Sequence, residues 1–256
     1  FVDAASLGGV IGNVPDVDAM LTTLLALFGS ETVTAYGSPD AELIYGGTGD
    51  DTLHAEMGDD QLYGNGGNDS LNGGGDQDWL VGGQGNDTLD GSSGWDEARY
   101  NLEQGTQGIN VNLADGTATD TYGDFDTLIS IEAVLATAYA DTITGSADDN
   151  FFIGFAGADI IDGGDGSDRV GYAYEAGTHG VFVNLSSQTL TRFFDGEERT
   201  LLAGEAYDRN GDIDQLSNIE NIDGTEDDDI IIGDDDGDGI DNSFRGGAGN
   251  DTLIGG

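Results

Sequence analysis

The sequence predicts an all-β chain in which short strands stack into a coil. In residues 46–99 a nine-residue repeat occurs six times without a break. The chain holds 45 glycines without a triplet period, which fits repeated tight turns better than disorder. It also carries 51 acidic residues against six basic ones. A compact state therefore needs cations that offset the repulsion between like charges.

Two positions of the repeat keep the same chemical character. The sixth position is always acidic, and its members are Asp51, Asp60, Asp69, Asp78, Asp87 and Asp96. The eighth position is apolar, and its members are Leu53, Leu62, Leu71, Leu80, Leu89 and Ala98. The first six residues of each repeat are predicted to form a turn and the last three a strand. Because strand side chains alternate between two faces, the eighth position should point inward.

The turn residues suit a hard cation. Glycines at positions one, two and four are expected to allow positive φ and to leave main-chain carbonyls uncovered. Calcium takes about six to eight oxygen ligands, which carbonyls and carboxylates can supply. Two repeats should complete one coil, so that turns two repeats apart stack. Calcium is then predicted between the stacked pairs Asp51 and Asp69, Asp60 and Asp78, Asp69 and Asp87, and Asp78 and Asp96.

This stretch resembles the β-roll of the RTX family, the hemolysin-type calcium-binding proteins, whose repeat is G-G-x-G-x-D-x-U-x. The resemblance implies a right-handed parallel β-roll with calcium in its turns, export by a type I secretion system, and folding outside the cell. Some repeats depart from the pattern. Asp76 replaces the fourth-position glycine, and the second repeat opens with Ala55-Glu56. These turns are expected to be looser or to bind ions differently.

The rest of the sequence predicts three rolls separated by strand inserts. The predicted segments are an N-terminal segment 1–36, a first roll 37–99, a strand insert 100–135, a second roll 136–171, an insert with a hairpin 172–223, and a third roll 224–256. Apolar residues recur at helical spacing from Val17 to Phe28, which predicts a short amphipathic helix. This helix either caps the open end of the roll or binds a partner.

The two inserts share strand patterns. Residues 108–113 return as residues 180–185, and residues 126–132 return as residues 214–220. In the second roll the row of inward side chains is predicted to be Ile143, Phe152, Ile161 and Val170.

A hairpin is predicted in the second insert, where Asp195 and Gly196 separate two short runs. Arg192 and Arg199 flank this turn. Pairing with neighbouring acids such as Glu197 is the ordinary expectation for surface charge. The sharper alternative is a protrusion that meets acidic surface on a neighbouring copy of the chain.

The later rolls add candidate metal ligands. Sixth-position acids recur at Asp159, Asp168, Asp229 and Asp251, and carbonyl ligands are predicted at Gly46, Gly49, Gly64, Gly67, Gly82 and Gly85. In the third roll Asp234, Asp236 and Asp238 match the first oxygen positions of an EF-hand loop. Arg245 stands where the closing Glu belongs, so a complete EF-hand is not predicted. Residues 208–212 give a weaker form of the pattern, which is interpreted as a solvated acidic loop.

Composition and motifs exclude several functional classes. With no lysine and six arginines, nucleic acid and anionic membrane surfaces are not expected as partners. The absence of cysteine excludes disulfides and zinc-thiolate sites. No apolar run is long enough to predict insertion into a membrane. His54 and His179 form no zinc-protease motif, and no nucleophile elbow is recognisable. No enzyme activity is therefore predicted.

The leading hypothesis is a calcium-binding, non-enzymatic structural module of a secreted protein, located outside the cell or at its surface. Examples are an adhesin, a surface-layer protein or a subunit of an extracellular fibre. Calcium ions and copies of the chain joined head to tail in a filament are the predicted partners. Two alternatives stay open: the non-catalytic C-terminal region of a secreted hydrolase or toxin, which serves secretion and folding, and a carbohydrate-binding module.

Overall fold

The structure is a computed structural model that describes residues 30–233 and 242–255. These ranges contain short β-strands and one 3-10 turn, Tyr100–Leu102, and no α-helix. The predicted N-terminal helix lies outside them. In chain order the strands are β1 (Thr34–Tyr36), β2 (Leu43–Tyr45), β3 (Thr52–His54), β4 (Gln61–Gly66), β5 (Ser70–Asp76), β6 (Trp79–Gln84), β7 (Thr88–Gly94), β8 (Glu97–Arg99), β9 (Asn110–Asn112), β10 (Thr117–Thr119), β11 (Phe125–Ile129), β12 (Ala133–Leu135), β13 (Thr142–Thr144), β14 (Phe151–Ile153), β15 (Ile160–Asp162), β16 (Arg169–Gly171), β17 (Phe182–Asn184), β18 (Leu190–Phe194), β19 (Glu197–Leu201), β20 (Glu205–Tyr207), β21 (Ile213–Ser217), β22 (Asn221–Asp223), β23 (Ile230–Ile232), β24 (Ser243–Arg245) and β25 (Thr252–Ile254).

Each strand of the repeat region pairs with the strand two repeats further along. In β3, β5 and β7 the inward leucines stand in register, because Leu53 pairs with Leu71 and Leu71 with Leu89. Consecutive strands therefore alternate between two parallel sheets. This confirms an all-β parallel roll in which two repeats make one coil.

The described chain forms two compact bodies. Body 1 contains residues 30–106 and 116–133. One of its sheets has the strand order β1-β3-β5-β7-β11-β10, and the other has the order β2-β4-β6-β8. Only β10 and β11 pair antiparallel here. The eighth-position side chains of both sheets are buried and form the core, as predicted: Leu53, Leu62, Leu71, Leu80, Leu89 and Ala98.

Body 2 contains residues 107–115 and the described residues from 134 onward. Its sheets have the strand orders β9-β13-β15-β21-β20-β17-β23-β25 and β12-β14-β16-β22-β24. Strand β20 runs antiparallel to both of its neighbours, β17 and β21. The predicted inward row is confirmed, since all four of its members are buried: Ile143, Phe152, Ile161 and Val170.

The predicted hairpin is formed by β18 and β19, which pair antiparallel and place Phe194 opposite Glu197. The two turn residues, Asp195 and Gly196, have φ values of 49° and 79°, as a two-residue hairpin with both central residues left-handed requires. The guanidinium of Arg199 lies 3.8 Å from the carboxylates of Asp195 and Glu197. Local pairing is therefore confirmed for this arginine.

Replacing Leu71 by alanine should destabilise body 1 strongly. Leu71 has no exposed surface and lies between two neighbouring strands, so truncation leaves a cavity and should cost about 2 to 5 kcal/mol of unfolding free energy. Leu43→Ala is the matched control, because this strand leucine is 45% exposed, and it should cost less than about 1 kcal/mol. Urea unfolding in saturating calcium measures both losses. Equal losses would contradict an eighth-position core.

Candidate calcium-binding turns

The first glycine of a repeat is needed because a larger side chain would not fit at its position. A Cβ on Gly64 would lie 2.5 Å from the carbonyl oxygen of Gly82 in the next coil, and it would also meet the carboxylate of Asp69. The φ of Gly64 lies outside the left-handed region. Gly64 therefore does not use the positive φ that glycine was expected to allow at position one, and crowding by the next coil selects glycine there.

In the second to sixth repeats, positions two and four take the left-handed backbone, and they do so even where glycine is missing. At position two φ is 84° for Glu56, against 107° for Gly74. At position four φ is 76° for Asp76, against 122° for Gly85. Holding a non-glycine residue in this region costs about 1 to 2 kcal/mol. The departures at Glu56 and Asp76 therefore keep the turn conformation of their neighbours.

Each sixth-position carboxylate accepts a hydrogen bond from the preceding coil. Oδ1 of Asp69 lies 2.7 Å from the backbone nitrogen of Asp51, and Oδ1 of Asp87 lies 2.7 Å from that of Asp69. In the other sheet, Asp60 donates to Oδ1 of Asp78 at 2.9 Å. We call this series of bonds the carboxylate ladder. Its members in body 1 are Asp51, Asp60, Asp69, Asp78, Asp87, Asp96, Asp126 and Glu132.

The first insert returns to the ladder with two acids that the sequence analysis did not assign. Oδ1 of Asp126 accepts the N–H of Asp87 at 3.0 Å, and Oε2 of Glu132 accepts that of Asp96 at 2.9 Å. The recurrence of one segment in both inserts, opening with Asp and ending with Glu, was the signal for them. The ladder acids of body 2 are Asp141, Asp159, Asp168, Asp214, Glu220, Asp229 and Asp251.

The second oxygen of most ladder aspartates is buried without a hydrogen-bond partner. These Oδ2 atoms belong to Asp60, Asp69, Asp78, Asp87, Asp96, Asp159 and Asp168. Burial raises the pKa of Asp69 to about 7. It raises the pKa of Asp159 to about 9, with the charge of Asp214 adding to the effect. An uncompensated buried charge costs on the order of several kcal/mol, so each such oxygen calls for a cation or a proton.

The donor set fits calcium. A Cβ on Gly64 would meet both Oδ2 of Asp69 and the main-chain oxygen of Gly82, so these two oxygens lie close together in the turn. The glycines predicted as carbonyl ligands stack in two columns, Gly46, Gly64 and Gly82, and Gly49, Gly67 and Gly85. An all-oxygen environment favours a hard cation. Within the described residues no three His, Asp or Glu side chains converge as a metal-binding group, so carbonyls would complete the coordination. Calcium bound there would supply the positive charge that the buried carboxylates lack.

Comparison with known families agrees with this geometry. The model of the RTX calcium-binding nonapeptide repeat matches the chain in four copies, at residues 36–71, 72–98, 135–170 and 236–256. The chain carries RTX calcium-binding nonapeptide repeats. No curated protein matches it. The matched ranges leave out most of both strand inserts.

Some turns of this chain satisfy the sixth-position acid from within the protein. The Thr225 hydroxyl donates to Oδ1 of Asp229 at 2.9 Å, and the Thr225 N–H donates to Oδ2 at 2.7 Å. Thr137 bonds to Asp141 in the same way. Both threonines occupy position two of the turn. The protein itself therefore occupies both oxygens of Asp229, one of the ligands proposed from the sequence.

The remaining predicted ligands differ in their hydrogen-bond partners and in whether the structure describes them. Both oxygens of Asp51 accept backbone N–H groups, and Oδ1 of Asp251 accepts the N–H of Asp229 at 3.1 Å. Three of the predicted ligands lie outside the described residues: Asp234, Asp236 and Asp238. The interpretation of residues 208–212 as a solvated loop is wrong at Asp208, which has no exposed surface.

Without calcium, acid should stabilise the fold. Burial raises the pKa of Asp78 to about 6 and that of Asp96 to about 7, whereas an unfolded Asp has a pKa of about 3.9. The folded chain thus holds protons that the unfolded chain releases. This stabilisation is complete below about pH 4 and is lost as the pH rises through 6 to 7.

Circular dichroism in EDTA checks the sign of this linkage. The β-sheet signal should grow as the pH falls from 8 to 4 and should disappear on return to pH 8. A parallel titration in saturating calcium is the control, and it should show little change between pH 6 and 8. A spectrum in EDTA that does not depend on pH would contradict the prediction.

Proposed function

We propose that this chain is a structural module without catalytic activity, belonging to a secreted RTX protein, and that it folds when it meets extracellular calcium. The supporting observation is the stack of buried, unpartnered Oδ2 atoms on successive coils. Folding without a cation would bury these charges uncompensated. Folding with calcium offsets them, so the repeat ties the folded state to the ion.

This linkage between folding and calcium determines where the module folds. A ligand that binds only the folded state stabilises that state by mass action. Where calcium is scarce, as in the cytosol, 51 acidic residues against six basic ones keep the chain expanded. An expanded chain suits passage through a type I exporter. Outside the cell, millimolar calcium then drives folding at the site of use.

We infer a surface or fibre role, as in an adhesin, a surface-layer protein or a fibre subunit. Its support is the exposure of apolar side chains on strands at the end of the sheets. In β25 Leu253 and Ile254 are 43% and 45% exposed, and in β1 Tyr36 is 42% exposed. An edge strand with apolar side chains is a template for another strand. We infer that the strand is supplied by another copy of the chain.

Removal of one ladder oxygen should weaken calcium-driven folding. Asp69→Asn can keep the oxygen that accepts the Asp51 N–H, but it replaces the unpartnered oxygen with an NH2 group that cannot bind a cation. The calcium midpoint of folding, followed by circular dichroism, should rise about tenfold or more, since even the loss of a residue that only hydrogen-bonds to a metal ligand costs that much affinity.

Asp115→Asn is the matched control for this experiment, because it removes one charge at an exposed aspartate of the first insert that is not a member of the ladder. Its midpoint should stay within about twofold of the parent value, as expected for an exposed surface site. Two outcomes would contradict the proposal: a parent chain with the same spectrum in EDTA and in millimolar calcium at neutral pH, or equal midpoints for the two variants.

Calcium should also promote self-association through the exposed sheet edge. Sedimentation velocity of the full chain should show larger species as protein concentration rises in calcium, and monomer in EDTA. Leu253→Lys places a charge on the edge and should suppress the larger species. Phe193→Lys is the control, since Phe193 is 72% exposed but lies on the hairpin. A strictly monomeric chain in calcium would refute self-assembly, and suppression by Phe193→Lys alone would move the contact to the hairpin.

A further inference from the structure

The two strand inserts are copies of one motif. Residues 100–113 and 172–185 align without a gap and share Tyr, Glu, Gly-Thr, Gly and Val-Asn-Leu at the same offsets. The tyrosine that opens each copy is buried. Its hydroxyl donates to Oδ2 of a ladder acid, to Asp126 at 3.3 Å in the first copy and to Asp214 at 3.1 Å in the second. The likeness therefore extends from sequence to contacts.

Each insert also contains an Asp-x-x-Gly-Asp turn, at residues 120–124 and 208–212. Oδ1 of the first aspartate accepts the N–H groups two and four residues further on, at 2.9 and 2.7 Å in the first copy and at 3.0 and 2.7 Å in the second. The glycines have φ values of 89° at Gly123 and 94° at Gly211. The two turns thus hold the first aspartate in the same way, with one oxygen committed to the backbone.

The two copies differ at the glutamate. Oε2 of Glu103 accepts the hydroxyl of Thr121 at 2.7 Å, and Oε1 accepts the N–H of Gly83 at 3.2 Å. Glu175 is 4% exposed, and neither of its carboxylate oxygens accepts a hydrogen bond. Arg209 stands at the position of Thr121, so the second copy lacks the hydroxyl. The protein satisfies the glutamate in body 1 and leaves it unsatisfied in body 2.

Arg209 does not neutralise that carboxylate. Its guanidinium donates to the main-chain oxygens of Glu175, Gly177 and His179, and it pairs with the carboxylate of Asp227 at 2.6 Å. The backbone N–H of Arg209 lies near enough to favour the charged form of Glu175, but it makes no hydrogen bond to either oxygen. The positive charge of Arg209 is therefore committed elsewhere.

A second unpartnered acid lies near Glu175. Asp208 has no exposed surface, and its Oδ2 has no hydrogen-bond partner. The pKa of Glu175 is raised to about 10, mainly by burial, with the charges of Asp208 and Asp214 adding to the effect. Two buried carboxylates without a counter-charge are costly in a protein interior. A divalent cation between them removes that cost for both.

We propose that Glu175 and Oδ2 of Asp208 bind a hard divalent cation of the calcium class, at a site in body 2 that is separate from the nonapeptide turns. The two carboxylates supply its charge-bearing oxygens, and main-chain oxygens or water complete the shell. In body 1 the Thr121 hydroxyl and the Gly83 N–H take the place of the ion at Glu103. The ion would join the loop after β16 to the turn between β20 and β21, so that the insert folds with its roll.

Counting calcium ions on the full chain tests this site. Native mass spectrometry in limiting calcium should show one ion fewer on Glu175→Gln than on the parent chain, because Gln keeps the shape but loses the charge. Glu103→Gln is the matched control at the equivalent position, and its count should equal the parent count. Circular dichroism in calcium confirms that both variants are folded. Equal counts for the two variants would overturn the proposal.

A measurement on the parent chain covers the case in which Glu175→Gln does not fold. Crystals grown in calcium should show an anomalous scattering peak between Glu175 and Asp208, and no peak at Glu103. If Glu175 instead holds a proton, the peak is absent, the ion count is unchanged, and Glu175→Gln is as stable as the parent, which overturns the proposal. Ions at the ladder turns are counted separately in both experiments, so failure of this site and failure of calcium-driven folding are distinguishable.

Discussion

A hydrogen bond from the backbone of one coil to a carboxylate of the next determines how this chain stacks. Asp69 shows the principle, since one of its oxygens receives the Asp51 N–H while the other is buried without a partner. The residue that aligns the coils is therefore also the residue that opposes their burial in the absence of a cation. Coil alignment and dependence on an ion cannot be separated in this fold, because the same carboxylate aligns the coils and needs a cation.

The chain relieves this conflict in two ways. In the regular turns of the first roll the free oxygen faces main-chain carbonyls, and a cation is the natural complement. In the turns of Thr137 and Thr225 a hydroxyl and a backbone N–H fill the same need. In these two turns the threonine at position two therefore takes the place of an ion. The two inserts differ in the same way. The Thr121 hydroxyl bonds to Glu103 in the first insert, and Glu175 has no such partner in the second.

The repeat allowed much of the fold to be predicted, because one nine-residue pattern places both the buried Leu71 and the turn residue Asp69. It did not predict that Asp126 continues the ladder, since the insert interrupts the period and only the folded chain brings that residue back to the next coil. Asp208 was interpreted as exposed because its local pattern is polar. Its burial depends on packing with distant parts of the insert, including Glu175. The sequence pattern around residues 208–212 holds no information about that packing.

Both inserts rejoin the carboxylate ladder at the next coil, so the length of chain between two coils can vary. Within the first roll a ladder bond spans 18 residues, whereas the bonds that close the two inserts span 39 and 55 residues. Closure entropy grows only with the logarithm of loop length, so these longer loops cost about 1 kcal/mol or less more than the 18-residue loop. Burial of a single leucine side chain contributes about twice as much. New loops such as the β18–β19 hairpin can thus be gained, lost or exchanged during evolution while the spacing of the coils stays constant.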